Sequence, residues 1–183
     1  MSVQREEPLL RIPMSWEEYI ALPEKPKAEW VDGEVVIMMA PVGFDHGDAA
    51  LRLGGLLLDL FPDLFPLTEV GLRLPRNRLR APDLMLVDHR SEGDFVTDPP
   101  LMVAEVLSAS TRSEDTVRKL QEYAEGRVGQ YWIVDPELSR IDVLLNNDGE
   151  WEIAAKLDDA HPRGEVELAG VTVPLDLRRI LRA

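Results

Sequence analysis

Two apolar stretches of the chain each carry a single carboxylate. One is Arg80-Ala81-Pro82-Asp83-Leu84-Met85-Leu86-Val87; the other, resuming fourteen residues later, is Leu101-Met102-Val103-Ala104-Glu105-Val106-Leu107-Ser108. Both read as buried strands, and a lone carboxylate among Leu, Met and Val is costly to bury unless something pairs with it. If the strands are neighbours in matching register, Asp83 and Glu105 meet at one point. Oxygen donors of that kind suit a hard cation, Mg²⁺ or Mn²⁺, which would also cancel their charge. A cation held there can polarise a phosphoryl oxygen and acidify water for in-line attack. Taken singly, each residue has a plainer reading. An Asp at a strand start is commonly a turn or ladder residue, and a strand Glu commonly pairs with an arginine.

The elements that would position the pair can be read outward from them. Residues 67–75, 79–87 and 101–108 are expected as three strands, the first two joined by a turn at Pro75-Arg76-Asn77-Arg78. Before them, leucines at 51, 53, 56, 57, 58 and 60 predict a largely buried helix over 46–61, stopped by Pro62. After them, Thr111 with Glu114 three residues on sets up a capping box for a helix running to about Gly126. Tyr131-Trp132-Ile133-Val134 is an apolar strand of the buried kind, ended by Asp135-Pro136. The order helix, three strands, helix, strand predicts an α/β domain around a mixed sheet. Around that core, Ser15 and Glu18 predict a helix over 14–22, and residues 28–39 a hairpin turning at Asp32-Gly33. A meander follows at 140–145 and 151–157, with a turn at Asn147-Asp148-Gly149, then a last strand near 165–173 and a small C-terminal helix.

A chain of 183 residues, 45% hydrophobic and 30% charged, suits one domain with a real core. It has no cysteine, which excludes disulfides and thiolate-bound metal centres. Residues 1–7 form no apolar signal-peptide core and no apolar run approaches membrane-spanning length, so a cytoplasmic protein without membrane contact is expected. The net charge of −14 opposes a general nucleic-acid coat, since phosphate binding relies on cations. One local exception is the run of Arg73, Arg76, Arg78 and Arg80, which could meet a nucleic-acid backbone or simply form a solvated hairpin tip. Lysines occur only at 25, 27, 119 and 156, so the place of each is informative.

Several segments share one order of motifs. Pro82-Asp83 and Glu105-Val106-Leu107-Ser108 are preceded by Glu29-Trp30-Val31-Asp32-Gly33-Glu34 and by His46 opening the long helix. They are followed by Asp115, Lys119 and Tyr123 at spacing four, and by Tyr131-Trp132-Ile133-Val134-Asp135. This series resembles the PD-(D/E)XK nuclease superfamily and is more closely similar to the Uma-type family of bacterial restriction-endonuclease-like proteins, over roughly residues 14–145. The resemblance implies a single nuclease-like domain over 1–183, its core joined to an N-terminal helix and hairpin and to a C-terminal extension over 146–183. It implies a Mg²⁺- or Mn²⁺-dependent endonuclease acting on DNA, with Asp83, Glu105 and the Val106 carbonyl as metal donors.

One departure stands out. The superfamily lysine belongs two residues after the glutamate, on its face of the strand, and Leu107 stands there. Lys119, on the helix that follows, is the nearest substitute to orient water or steady developing charge. Its alternative is an ordinary helix pair with Asp115, four residues before it. His46 is a candidate for proton transfer or for supporting the site, with capping or packing as its other reading. Glu29 is a site candidate or a structural salt-bridge partner. Two rival functions remain open: a nuclease fold kept as a binding module without catalysis, and a small-molecule phosphoesterase, which the acidic charge favours. The additional meander and hairpin make a homo-oligomer the expected state.

Overall fold

The computed structural model describes residues 9–23, 28–37, 43–108 and 112–182. Ser15 starts the first helix, α1 (Trp16–Ile20), through a complete capping box: its hydroxyl accepts from the Glu18 N–H at 3.2 Å, and the Glu18 carboxylate accepts from the Ser15 N–H at 2.8 Å. Before it lies a strand absent from the sequence reading, β1 (Leu10–Pro13). The Asp32-Gly33 turn, with φ of 54° and 86°, joins β2 (Ala28–Val31) to β3 (Glu34–Ile37). Residues 38 and 39 of the expected hairpin lie outside the described residues, as does Thr111, the expected helix cap.

The three central strands are arranged differently from expectation. Residues 67–75 do not form one strand. They divide between β4 (Phe65–Leu67) and β5 (Leu72–Leu74), which belong to different sheets. Residues 79–87 divide in the same way, into β6 (Arg78–Arg80) and β7 (Leu84–Val87). Pro82 supplies the reason for the second break, because it has no N–H to donate to a ladder. β5 and β6 form a hairpin joined by three residues, Pro75-Arg76-Asn77, the last two at positive φ.

One sheet runs β1-β3-β2-β6-β5. The other is six-stranded, with β8 (Met102–Val106), β9 (Gln130–Asp135), β10 (Arg140–Asn147) and β11 (Glu150–Leu157) in the order β11-β10-β9-β8-β7-β4. Only β8 and β9 pair in parallel, so the sheet is mixed as expected. The single strand expected near 165–173 is instead a separate hairpin, β12 (Arg163–Leu168) and β13 (Val171–Asp176). It turns at Ala169-Gly170, both at positive φ, a less obvious signal than Asn-Gly or Asp-Gly.

Residues on β8 alternate between two cores. Met102, Ala104 and Val106 face α2 (Phe44–Leu60), α4 (Leu177–Ile180) and the β12–β13 hairpin. Val103 faces the other way, toward Leu72, Met85, Tyr123 and Tyr131. α2 buries Ala49, Leu53 and Leu57. Contrary to the largely buried helix expected, Leu51 and Leu58 point outward, 76% and 61% exposed. Among the described residues no helix is long and apolar enough to cross a membrane.

Candidate active site

β7 and β8 pair antiparallel with Leu84 opposite Ala104, Met85 opposite Val103 and Leu86 opposite Met102. Continuing that register by one residue sets Asp83 across from Glu105. Directly opposed residues share a face, and Asp83 lies near enough for its charge to raise the pKa of Glu105. Both are buried. Asp83 Oδ2 accepts from the Val106 N–H at 2.8 Å and lies 3.1 Å from His46 Nε2. His46, in the first turn of α2, therefore supports Asp83 directly. The backbone N–H of Val106 thereby ties Asp83 to β8.

Glu105 Oε1 accepts from Lys119 Nζ at 2.9 Å and from the Tyr123 hydroxyl at 2.7 Å. The same ammonium lies 3.1 Å from Asp115 and 3.3 Å from Glu29. The i,i+4 pair with Asp115 thus exists, but it is no surface pair: Lys119 is only 4% exposed and Asp115 only 2%. Leu107, where a lysine was expected, is buried, and its N–H donates to Val134. The cation on Glu105 comes instead from the following helix.

That helix begins unusually. Glu114–Arg118 is one π-helical turn, closed by the Lys119 N–H donating to Glu114 O, and α3 (Lys119–Glu125) continues from it. The Tyr131 hydroxyl donates to Asp115 O and anchors the wide turn. π-turns inside α-helices are found frequently at functional sites. Here the turn leaves Glu114, Asp115, Lys119, Glu122 and Tyr123 all buried against the strands.

Glu29, on β2, joins the cluster from the other sheet. It accepts from Arg80 Nη1 at 2.7 Å and from the Ala81 N–H at 3.0 Å. Burial alone would raise its pKa, but Lys119, Arg80 and the Ala81 N–H outweigh that and hold it near about 2. Glu105 goes the other way. Burial pushes it up to about 8, Lys119 opposes this only in part, and the carboxylates of Asp115, Asp83 and Glu29 add to the rise. Burial would also lower the Lys119 pKa, yet Asp115, Glu105 and Glu29 keep it well above the ordinary lysine value. The charges explain the contrast. Glu29, Asp83, Glu105, Glu114, Asp115 and Glu122 are six buried carboxylates, facing three buried cations, Arg78, Arg80 and Lys119.

Two of the four arginines in the run, Arg78 and Arg80, are turned inward, away from any nucleic-acid backbone. Arg80 has no solvent exposure, because three carboxylates enclose its guanidinium. Its bonds reach Glu122 at 2.6 and 2.9 Å, Glu29 at 2.7 Å and Glu114 at 2.8 Å. Arg78 is also buried, donating to Asp32 at 2.8 Å. Arg73 lies 4.0 Å over the Trp16 ring and donates to Asn77, and exposed Arg76 pairs with Glu125 at 2.9 Å. Asp135 ends β9 as expected, and it is paired with Arg112.

Acid should unravel this cluster. The folded-state pKa values of Glu29 and Glu114 are both lowered, so the stability they contribute is full above about 4.5 and is lost on acidification, for Glu29 as pH falls toward about 2. Melting temperatures followed by circular dichroism should drop across that window, and Glu29→Gln should flatten the drop. An unchanged profile in the variant would remove Glu29 from the account.

The two sheets, the β7–β8 carboxylate pair and the lysine-bearing helix define a restriction-endonuclease-like α/β protein. The fold matches the crystal structure described as "a putative nuclease" from Anabaena variabilis, with a TM-score of 0.74 and 16% identity over 92% of this chain and 97% of that one. The chain belongs to the Uma2 family, described as "Putative restriction endonuclease", whose model matches residues 16–177. No curated protein matches it.

Proposed function

We propose that the chain is a divalent-metal-dependent nuclease that hydrolyses phosphodiester bonds, with DNA as substrate. The observation that carries this reading is the opposition of Asp83 and Glu105 across β7 and β8, with Lys119 on Glu105. The family's description supports the reaction class.

The donor set suits Mg²⁺ or Mn²⁺. Among the described residues no group of three or more His, Asp or Glu side chains forms a metal shell. Mg²⁺, however, is usually bound through one or two carboxylates and keeps several waters. Asp83 and Glu105 would hold the cation with help from the Val106 carbonyl, and the surplus of buried negative charge favours it. Bound there, such a cation supplies polarisation of a phosphoryl oxygen and acidification of water. The chain's own groups do the positioning. Tyr123 and Lys119 fix the Glu105 carboxylate from one side, and His46 and the Val106 N–H fix Asp83. Lys119, kept cationic by its neighbours, can orient water or steady charge on the phosphate, the role of the missing strand lysine.

Calorimetric titration with Mn²⁺ tests the metal reading. Binding is expected in the wild type and not in Asp83→Ala. It should tighten as pH rises from about 5 to about 8, because Glu105 must give up its proton to bind. Binding that persists in Asp83→Ala would overturn the assignment.

A second reading has its own support. The net charge of −14, with Arg78 and Arg80 turned inward, favours a small phosphodiester over a duplex. Cleavage of a chromogenic phosphodiester without cleavage of plasmid, both with Mn²⁺, would select it. Absence of both activities would select a binding module.

A further inference from the structure

We propose that the outer face of α2 pairs antiparallel with α2 of a second copy of this chain, about a two-fold axis passing at Leu51. Phe44, Leu51 and Leu58 are 84%, 76% and 61% exposed, and they recur every seven residues along one helix. That spacing draws a single apolar stripe, the pattern by which helices meet helices.

Two glycines lie in the same stripe. Among the described residues, and leaving aside the adjacent turns of α2 itself, no atom comes within 4 Å of a Cβ built on Gly47 or Gly55. Glycine inside a helix is unfavourable relative to alanine, and nothing described within this chain requires it at either position. Close approach of another backbone does require it.

The order of these residues identifies the partner. Gly47 and Gly55 stand four residues either side of Leu51, and Phe44 and Leu58 stand seven either side. A stripe symmetric about its centre is self-complementary when the second helix runs the opposite way, which is what an isologous contact demands. Leu51 then meets Leu51, each Gly47 faces a Gly55, and each Phe44 faces a Leu58. Charge fits the same arrangement. Asp48 and Arg52, paired at 2.7 Å within one chain, occupy one flank of the stripe. Inverting the helix about Leu51 brings Arg52 of one copy to within about 3 Å, along the axis, of Asp48 in the other. An alternating ring of four charges closes beside the apolar seam.

The chain has no cysteine, so single cysteines report the geometry without ambiguity. Sedimentation equilibrium of the wild type should give twice the 20.6 kDa chain mass at micromolar concentration. Leu51→Arg should weaken the dimer at least 100-fold with its circular dichroism melt retained. Gly47→Ala with Gly55→Ala should weaken the dimer about tenfold while making the isolated chain melt higher. Under mild oxidation Leu51→Cys should cross-link to itself, whereas Phe44→Cys and Leu58→Cys should cross-link only when mixed. A wild type that stays monomeric, a dimer indifferent to Leu51→Arg, or Phe44→Cys linking to itself would each overturn the proposal. None of these readouts depends on nuclease activity, so the result stands apart from the assignment of the metal site.

Discussion

Glu105→Gln is expected to lower metal-dependent cleavage about 1000-fold while leaving the fold intact. The size follows from the job assigned to the carboxylate: a cation that stabilises transition-state charge by several kcal/mol is lost with its donor, and every 1.4 kcal/mol is about tenfold. The retained fold follows from the site's electrostatics. Burial and the neighbouring carboxylates, opposed in part by Lys119, push the Glu105 pKa up to about 8 and so favour its neutral form. A neutral amide of the same shape is therefore close to what the fold already accommodates. Its side-chain oxygen can still accept from Lys119 and Tyr123. Rates on plasmid with Mg²⁺ and melts by circular dichroism should be measured on the same preparations. A variant within tenfold of the wild-type rate would place the chemistry elsewhere. A large fall in melting temperature would make Glu105 structural first. Asp83→Asn should behave alike, since its oxygen can keep the Val106 N–H bond.

Arg80→Met should give the opposite result, with stability lost first. Removing one partner from a buried ionic cluster typically costs about 3–5 kcal/mol, because the remaining charges stay buried without compensation. Here Glu29, Glu114 and Glu122 all lose their shared cation. Against a total stability of about 5–15 kcal/mol, the melting temperature should fall by about 10–15 °C for a chain of this size. Arg80→Lys should recover little, because an ammonium has three donors and cannot reproduce the planar fork that reaches three carboxylates. A melt within about 3 °C of wild type for Arg80→Met would show that the cluster is not what braces the two sheets.

The contrast between these residues shows what could be read in advance. Asp83 and Glu105 were legible as buried neighbours because a charge inside an apolar strand is conspicuous, and the family's order of motifs suggested the chemistry proposed for them. Lys119 was legible because lysines are so few. Arg80 was misread for a physical reason. An arginine near a hairpin turn looks solvated, and the carboxylates that enclose it come from positions 29, 114 and 122, which nothing local links to it. Those acids had a partial signal. Glu114, Asp115, Lys119, Glu122 and Tyr123 recur on one helical face, though the π-turn that aligns the first of them leaves no obvious mark in the sequence. The break in 79–87 had a signal in Pro82, whereas the break in 67–75 was hidden, because a half-apolar run does not say which sheet receives each end. The outward leucines of α2 were hidden by their number: six between positions 51 and 60 obscure which two face outward.

The Ala81-Pro82-Asp83 crossing has one more consequence. Arg80 ends a strand of one sheet, and Asp83 stands immediately before a strand of the other, with only two residues between them. No slack separates the brace from the clamp. Opening of the smaller sheet must therefore drag Asp83 away from the Val106 amide, and the two events should share one free energy in native-state hydrogen exchange. Heredity would see the same linkage: a substitution in the N-terminal hairpin, remote from Asp83, can abolish the proposed activity by loosening a single three-residue tether.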